Sequence, residues 1–277
     1  MNKTKIIAEI GCNHMGDIGI AREMIAEAAK SGADFVKLQK RDLYSMKKEV
    51  AERPYSGPHS FGSTYGEHRA KLEFDKQQWY ELAECADSCD IGFFGTPFDL
   101  ESLLFLCAEM RAPLLKFGST QVHDSEMIRY VQTIRHPKLI LSSGMCDYEY
   151  LRGVCKEISP DVVMQTTSAY PCEETEVNLR VLNQLKSLAM DVGLSGHYVA
   201  GNGAIEAAAV AMGATWIERH FTLDRSWKGT DQAASLEPDG LRKVVKAVRS
   251  VERALGRSTK EVLECEQATL KKIKGQA

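Results

Sequence analysis

Two short apolar runs in the last third of this sequence each end in a histidine: Val192-Gly193-Leu194-Ser195-Gly196-His197 and Trp216-Ile217-Glu218-Arg219-His220. The Ala-rich residues 201–212 lie between them with no helix breaker after Gly203, so the stretch reads as a β-α-β unit. Parallel strands present ligands with their carboxyl ends, and two imidazoles converging there suit a divalent metal with open coordination positions. One strand-end histidine is ordinary hydrogen-bonded packing. A pair, followed by a charged loop reaching Asp231, points to metal.

Other strand-like runs also carry polar residues where a core would not. Glu9 interrupts Ile6-Ile7-Ala8-Glu9-Ile10-Gly11, and a buried carboxylate costs several kcal/mol unless something pairs with it. It is either salt-bridged inside the fold or turned toward a ligand, and the ligand side is expected. Asn13 and His14, in the turn that follows, read as ordinary turn chemistry. In Phe35-Val36-Lys37-Leu38-Gln39 the two-residue period puts Phe35, Lys37 and Gln39 on one face. Lys37 would there neutralise an anion and Gln39 bond a polar substrate. Thr96, Lys116, Ser119, Ser142, Ser168 and Tyr170 stand at or just past the ends of later runs. A single hydroxyl at such a junction commonly caps a helix, but a series of them over successive strands describes the mouth of a site.

The elements that must position these residues number about eight strand-helix units, which closes a parallel barrel. With 277 residues, 44% of them hydrophobic, the chain suits one α/β domain, a (β/α)8 TIM barrel over residues 1–256 with a short charged tail at 257–277. Helices are expected over residues 20–31, 75–87 and 238–255, the last stopped by Gly256, and another from Pro97 and Asp99 to about Met110. Over residues 40–73 the pattern is lost, and a long loop after the second strand would overhang the mouth, with Tyr65-Gly66-Glu67-His68-Arg69 as a wall or lid.

The 35 basic and 38 acidic side chains are interspersed and leave a net charge of −3, which argues against a nucleic-acid surface or a polybasic membrane anchor. No window approaches the roughly 18 apolar residues of a membrane span. The amino terminus does not read as a signal peptide, and eight scattered cysteines without a Cys-x-x-Cys pair suit a reducing cytoplasm. Two lysines and several hydroxyls at one mouth suit a phosphate-bearing substrate, and an open two-histidine metal site would polarise the carbonyl of a second one.

The blocks Ala8-Glu9-Ile10-Gly11-Cys12-Asn13-His14-Met15-Gly16, Val36-Lys37-Leu38-Gln39, Tyr65-Gly66-Glu67-His68-Arg69, Gly95-Thr96-Pro97-Phe98, Leu141-Ser142-Ser143-Gly144-Met145, Gly193-Leu194-Ser195-Gly196-His197 and Glu218-Arg219-His220-Phe221 resemble, in this order, the signatures of the sialic acid synthase family. The resemblance spans nearly all of the chain to Asp231. It implies a barrel enzyme, acting as a homodimer, that condenses phosphoenolpyruvate with an N-acyl hexosamine-type aldehyde such as N-acetylmannosamine, giving a nonulosonic acid and phosphate. It would place phosphoenolpyruvate against Lys37, Thr96, Lys116, Ser119, Ser142, Ser168 and Ser195. His197 and His220 would hold Mn2+ or Mg2+. Glu9, Gln39, Tyr170 and Asp231 would face the sugar, its aldehyde or the reacting water, with Glu9 or Asp231 taking the water proton.

Three departures from the family pattern concern the acceptor. Many members carry an antifreeze-like domain after the barrel, and no room for one follows here. The fourth strand commonly ends in a Gly-Ser-Gly-Glu-like turn, where this chain reads Gly118-Ser119-Thr120-Gln121. The sixth commonly ends in a His-Cys-Thr-Asn-like run, where this chain reads Gln165-Thr166-Thr167-Ser168. Two other readings stay open: a related synthase that uses a phosphorylated acceptor, and a catalytically silent sugar-binding subunit.

Overall fold

The computed structural model describes residues 3–275. Eight parallel strands follow one another round a closed barrel: β1 (Lys5–Gly11), β2 (Phe35–Lys40), β3 (Gly92–Pro97), β4 (Leu114–Phe117), β5 (Lys138–Ser142), β6 (Val162–Thr166), β7 (Asp191–Gly196) and β8 (Trp216–His220), the last pairing back onto the first.

The two-residue period divides each strand between two environments. Ile6, Ala8 and Ile10, Val36 and Leu38, Leu139 and Leu141, and Ile217 turn outward into the core between sheet and helices. The inward positions sort by height. Ile7, Phe35, Phe94, Leu114, Ile140, Val162 and Trp216 plug the amino-terminal end of the barrel as a separate apolar cluster. Two residues further along their strands come Glu9, Lys37, Thr96, Lys116, Ser142 and Glu218, which line the cavity above that plug. Strand pairing sets Glu9 beside Lys37 on one side and beside His220 on the other. A bulge after Glu9 shifts the β1–β2 register, and Gly11 sits there with φ +56. A side chain on Gly11 would stand 3.1 Å from Glu9 Oε1 and 3.3 Å from Gln39 Nε2, so glycine both takes the left-handed backbone and leaves room for these two groups.

The helix Pro238–Leu255 has the predicted bounds, opens on its proline and buries Leu241, Val244 and Val248. The first helix runs Ile18–Lys30, capped by the Asp17 side chain, and the helix expected at 75–87 runs Lys76–Ser88. The Ala-rich helix is Ala204–Ala211, shorter than the segment that suggested it.

The structure departs from expectation in three places. Residues 40–73 are not a structureless loop: they hold the helices Lys48–Ala51 and Tyr65–Leu72. The second is started by a capping box in which the Thr64 hydroxyl accepts from the Glu67 backbone N–H and the Glu67 carboxylate accepts from that of Thr64. That Thr-x-x-Glu spacing was readable in the sequence and was masked by the surrounding prolines and glycines. The helix opening after Asp99 is regular only over Leu100–Leu104 and widens into a π-turn at Phe105–Glu109. The charged tail carries one further exposed helix, Glu264–Ile273. Among the described residues no helix is long and apolar enough to cross a membrane, and all eight cysteines are free thiols.

Candidate active site

A cavity of about 320 Å³ opens at the carboxyl ends of the strands, and all thirteen residues singled out from the sequence line it: Glu9, Lys37, Gln39, Thr96, Lys116, Ser119, Ser142, Ser168, Tyr170, Ser195, His197, His220 and Asp231. Arg69, from the segment expected to form a wall, lines it too, and the structure adds Glu218, Cys12, Arg41, Phe98 and Gln121 among others. Glu218 was within reach of the sequence, because it lies two residues before His220 on the same strand face. Arg41 likewise continues the Lys37, Gln39 alternation one step past the end of β2.

The floor of the cavity is a chain of buried ions. Lys37 Nζ is 2.6 Å from Glu9 Oε2 and 3.8 Å from Glu218 Oε1, and it donates to Thr96 Oγ1 at 3.0 Å. Lys116 Nζ donates to Glu218 Oε2 at 2.9 Å, and Ser195 Oγ donates to Glu218 Oε1 at 3.2 Å. The two alternatives for Glu9 are therefore realised together, since it is salt-bridged inside the barrel and also faces the cavity. Each lysine is already matched by a carboxylate, because bare ammonium groups at this depth would be prohibitive.

Environment separates the two lysines. Burial works against the charged form of Lys37, but Glu218 and Glu9 together outweigh it and its pKa is raised. Burial prevails at Lys116, which has Glu218 in its favour and the like charge of Lys37 against it, so its pKa is lowered. Burial would raise Glu218, yet Lys116 and Lys37 hold it at about 2.

The two histidine rings stand edge to face with centroids 5.3 Å apart, and the Tyr170 ring packs at a tilt of 31° against His197 with centroids 4.1 Å apart. His197 Nδ1 donates to the Thr167 carbonyl at 2.6 Å, which leaves Nε2 with its lone pair exposed. Burial, reinforced by His220, pushes the His197 pKa down to about 3, so the ring is neutral, the form that binds metals. His220 Nδ1 is buried without a hydrogen-bond partner, and the nearest carboxylate oxygen, Asp231 Oδ2, is 3.8 Å away. Among the described residues no group of three or more His, Cys, Asp or Glu side chains has metal-site geometry. A divalent cation held here would have two imidazole nitrogens and most positions left to water and substrate; nitrogen donors suit a transition-series ion, whereas Mg2+ prefers oxygen ligands.

On the far side of the mouth Ser119 and Ser168 converge on Gly144, where an added methyl would collide with both hydroxyls. Ser168 Oγ and Gln121 Oε1 are buried and unpartnered there. With Ser142 alongside, these groups form a cradle whose hydroxyl donors suit anionic oxygens. Asn13 and His14, in contrast, are structural. The Asn13 amide donates to the Phe221 carbonyl at 2.9 Å and to Ser235 Oγ at 2.8 Å, and His14 stacks on Phe74 at 4.3 Å.

A closed parallel barrel with ions, imidazoles and hydroxyls gathered at the carboxyl ends of its strands defines a (β/α)8 enzyme acting on small polar molecules. The NeuB family model matches residues 24–260, and the chain belongs to that family of sialic acid synthases. It is 42% identical over 275 residues to the N-acetylneuraminate-9-phosphate synthase of Homo sapiens, covering 97% of this chain and 76% of that protein. It is 35% identical to the N,N'-diacetyllegionaminic acid synthase of Campylobacter jejuni, with 98% of this chain and 83% of that one covered. The crystal structure of N-acetylneuraminic acid synthetase from Leptospira borgpetersenii, in complex with citrate, matches with a TM-score of 0.83 at 29% identity, over 99% of this chain and 92% of that one.

Proposed function

We propose that this protein condenses phosphoenolpyruvate with an N-acyl hexosamine-type aldehyde and water to give a nonulosonic acid and inorganic phosphate. The observation that carries this reading is the division of one cavity into a hydroxyl cradle at the ends of β4 to β6 and a pair of imidazoles at the ends of β7 and β8, with the lysine-carboxylate floor between. Two substrates with different needs, one polyanionic and one carbonyl, are thereby served side by side.

In this mechanism Ser119, Ser142 and Ser168 hold the anionic oxygens of phosphoenolpyruvate. Lys37 and Lys116 sit beneath it with their charges pinned by Glu9 and Glu218, so the field is preorganised and needs no rearrangement when charge develops. A divalent cation held by His197 and His220 would supply Lewis-acid polarisation of the aldehyde oxygen. C3 of the enol attacks the aldehyde carbon, and the aldehyde oxygen takes up a proton from solvent water. Water adds at the resulting cationic C2 and loses its proton to Glu9, whose Oε1 is held only by a long 3.4 Å contact from Gln39 Nε2 while Oε2 is bound to Lys37. The tetrahedral intermediate then loses phosphate by C–O cleavage. Tyr170 and Asp231 orient the hydroxyls of the acceptor.

Phosphate release with phosphoenolpyruvate is the test, run across a panel of N-acyl hexosamines in Mn2+ or Mg2+ with and without a chelator. Release that depends on both acceptor and metal is expected. Acceptor binding without any release would replace this reading with a silent sugar-binding subunit. The names of the two relatives above differ over a terminal phosphate, so they leave that feature of the acceptor open.

A further inference from the structure

Arg219, Glu206 and Tyr198 form a buried polar cluster that the condensation makes no use of. Each is 1% exposed, and none of them lines the cavity. Arg219 stands between the cavity-facing Glu218 and His220, so the pleat turns it outward, toward the helix Ala204–Ala211 that carries Glu206. Its Nη1 donates to Glu206 Oε1 and, at 3.0 Å, to the Ala200 carbonyl, while Nη2 donates to the Tyr198 carbonyl. The Tyr198 hydroxyl donates to the same Glu206 Oε1 at 2.7 Å, and its ring centroid lies 4.1 Å from the guanidinium carbon. Strand pairing sets Arg219 beside Gly196, where an added methyl would stand 2.6 Å from the Tyr198 ring and 3.1 Å from Arg219 Cδ. A bare glycine is what lets the guanidinium reach past the end of β7.

Stability alone does not account for this cluster. Dehydrating a carboxylate and a guanidinium offsets much of what their pairing returns, and well-packed apolar side chains commonly serve as well. What apolar side chains lack is direction: a guanidinium is planar and offers its donors in a fixed fork. Here the fork joins the two strand ends that carry the histidines. Pairing of β7 with β8 stops at Gly196 and Arg219, one residue short of His197 and His220. Beyond that point each histidine is held by a different neighbour. The His197 carbonyl accepts from the Cys172 backbone N–H at 3.2 Å and its Nδ1 donates to the Thr167 carbonyl, whereas His220 pairs with Glu9 on β1. Arg219 supplies the hydrogen-bonded tie between them, since it is the covalent neighbour of His220 and holds the carbonyls one and three residues past His197.

We propose that Arg219, oriented by Glu206 and Tyr198, is a positioning residue that fixes the interval between His197 and His220 and thereby sets how tightly the two imidazoles hold a divalent cation. It touches neither substrate nor cation. Imidazoles already set at the right interval bind an ion without first being ordered, and groups that orient metal ligands act on affinity in this way. The inference rests on the assignment of His197 and His220 to a metal made above, and on no particular acceptor.

The test is Mn2+ binding to the whole chain without substrates, followed through the electron paramagnetic resonance signal of the free ion, which gives Kd with no turnover. Arg219→Met should raise that Kd by about 10-fold or more, the usual scale for groups that orient metal ligands. Glu206→Gln keeps the shape but loosens the fork, and should move Kd in the same direction. Arg219→Lys should recover at most part of the loss, because a single ammonium cannot reproduce the fork. In phosphate release, the Mn2+ concentration at half-maximal rate should rise with Kd while kcat at saturating Mn2+ stays close to wild type, a split that general loosening of the fold would not give. Circular dichroism establishes that each variant is folded at the assay temperature. An unchanged Kd in folded Arg219→Met, or in Glu206→Gln should Arg219→Met not fold, overturns the positioning role and leaves the metal assignment standing. A wild-type protein that binds no Mn2+, or binds it equally well after His197→Ala, removes the metal site and this inference with it.

Discussion

Glu218 is the carboxylate on which the floor of the cavity depends, and Glu218→Gln tests that dependence with almost no change of shape. It stands 2.9 Å from Lys116 Nζ and 3.8 Å from Lys37 Nζ, and is almost fully buried. At an effective dielectric constant of about 20 these distances correspond to attractions of about 6 and about 4 kcal/mol. The cost of dehydrating the carboxylate, several kcal/mol, offsets part of that gain. In the variant the amide keeps the Ser195 contact, but Lys116 loses its only ion-pair partner among the described residues. Breaking a buried pair from one side typically costs about 3–5 kcal/mol, because the remaining charge is stranded. Urea unfolding at pH 7 measures this directly, and with the usual slopes the midpoint should fall by roughly 1 M or more. A cycle with Lys116→Met makes the argument specific: the double variant should be more stable than the sum of the two single losses by about 2 kcal/mol or more. Additivity to within about 0.5 kcal/mol, or a Glu218→Gln midpoint equal to wild type, would refute the claim that Lys116 is held by this carboxylate.

Three further outcomes follow from particular contacts. Gly144→Ala places a methyl where Ser119 and Ser168 converge, and steady-state kinetics should show KM for phosphoenolpyruvate raised by about 10-fold or more, on the scale of one or two lost charge-assisted hydrogen bonds. An unchanged KM would remove the cradle from the phosphoenolpyruvate site. His197→Ala removes one of two imidazoles and should abolish metal-dependent phosphate release while leaving the fold intact by circular dichroism; near-normal turnover would end the metal assignment. His14 is buried against Phe74, and burial lowers its pKa to about 3, so the unfolded chain takes up the proton first. Its contribution to stability is therefore complete above its unfolded pKa of roughly 6.5 and is lost as the pH falls, by about 2 kcal/mol at pH 5. Urea midpoints at pH 7 and pH 5 should converge in His14→Gln relative to wild type, and parallel shifts in the two proteins would count against that role.

Much of the architecture was legible because its signals are local. The spacing of Phe35, Lys37 and Gln39 follows from the pleat of a single strand, as does the stepping of Trp216, Glu218 and His220, and neither needs a partner to be recognised. Apolar runs ending in hydroxyls, lysines or histidines, repeated about eight times, imply a barrel whose carboxyl-end rim collects those side chains. The Thr64–Glu67 box was equally local and was overlooked among turn residues. The π-turn after Leu104 had no such signal, since no residue type in Phe105–Glu109 marks a widened turn.

What the sequence by itself determined is thus many of the side chains that face the cavity and, for those on strands, the height at which each sits, since both follow from counting residues along individual strands. Only the tertiary structure decided which charges meet. Lys116 and Glu218 are 102 residues apart, and Glu9 meets Lys37 and His220 because β1 closes the barrel against both β2 and β8. Electrostatic pairing depends on distances of a few ångströms between groups from different strands, and no periodicity along the chain encodes such distances.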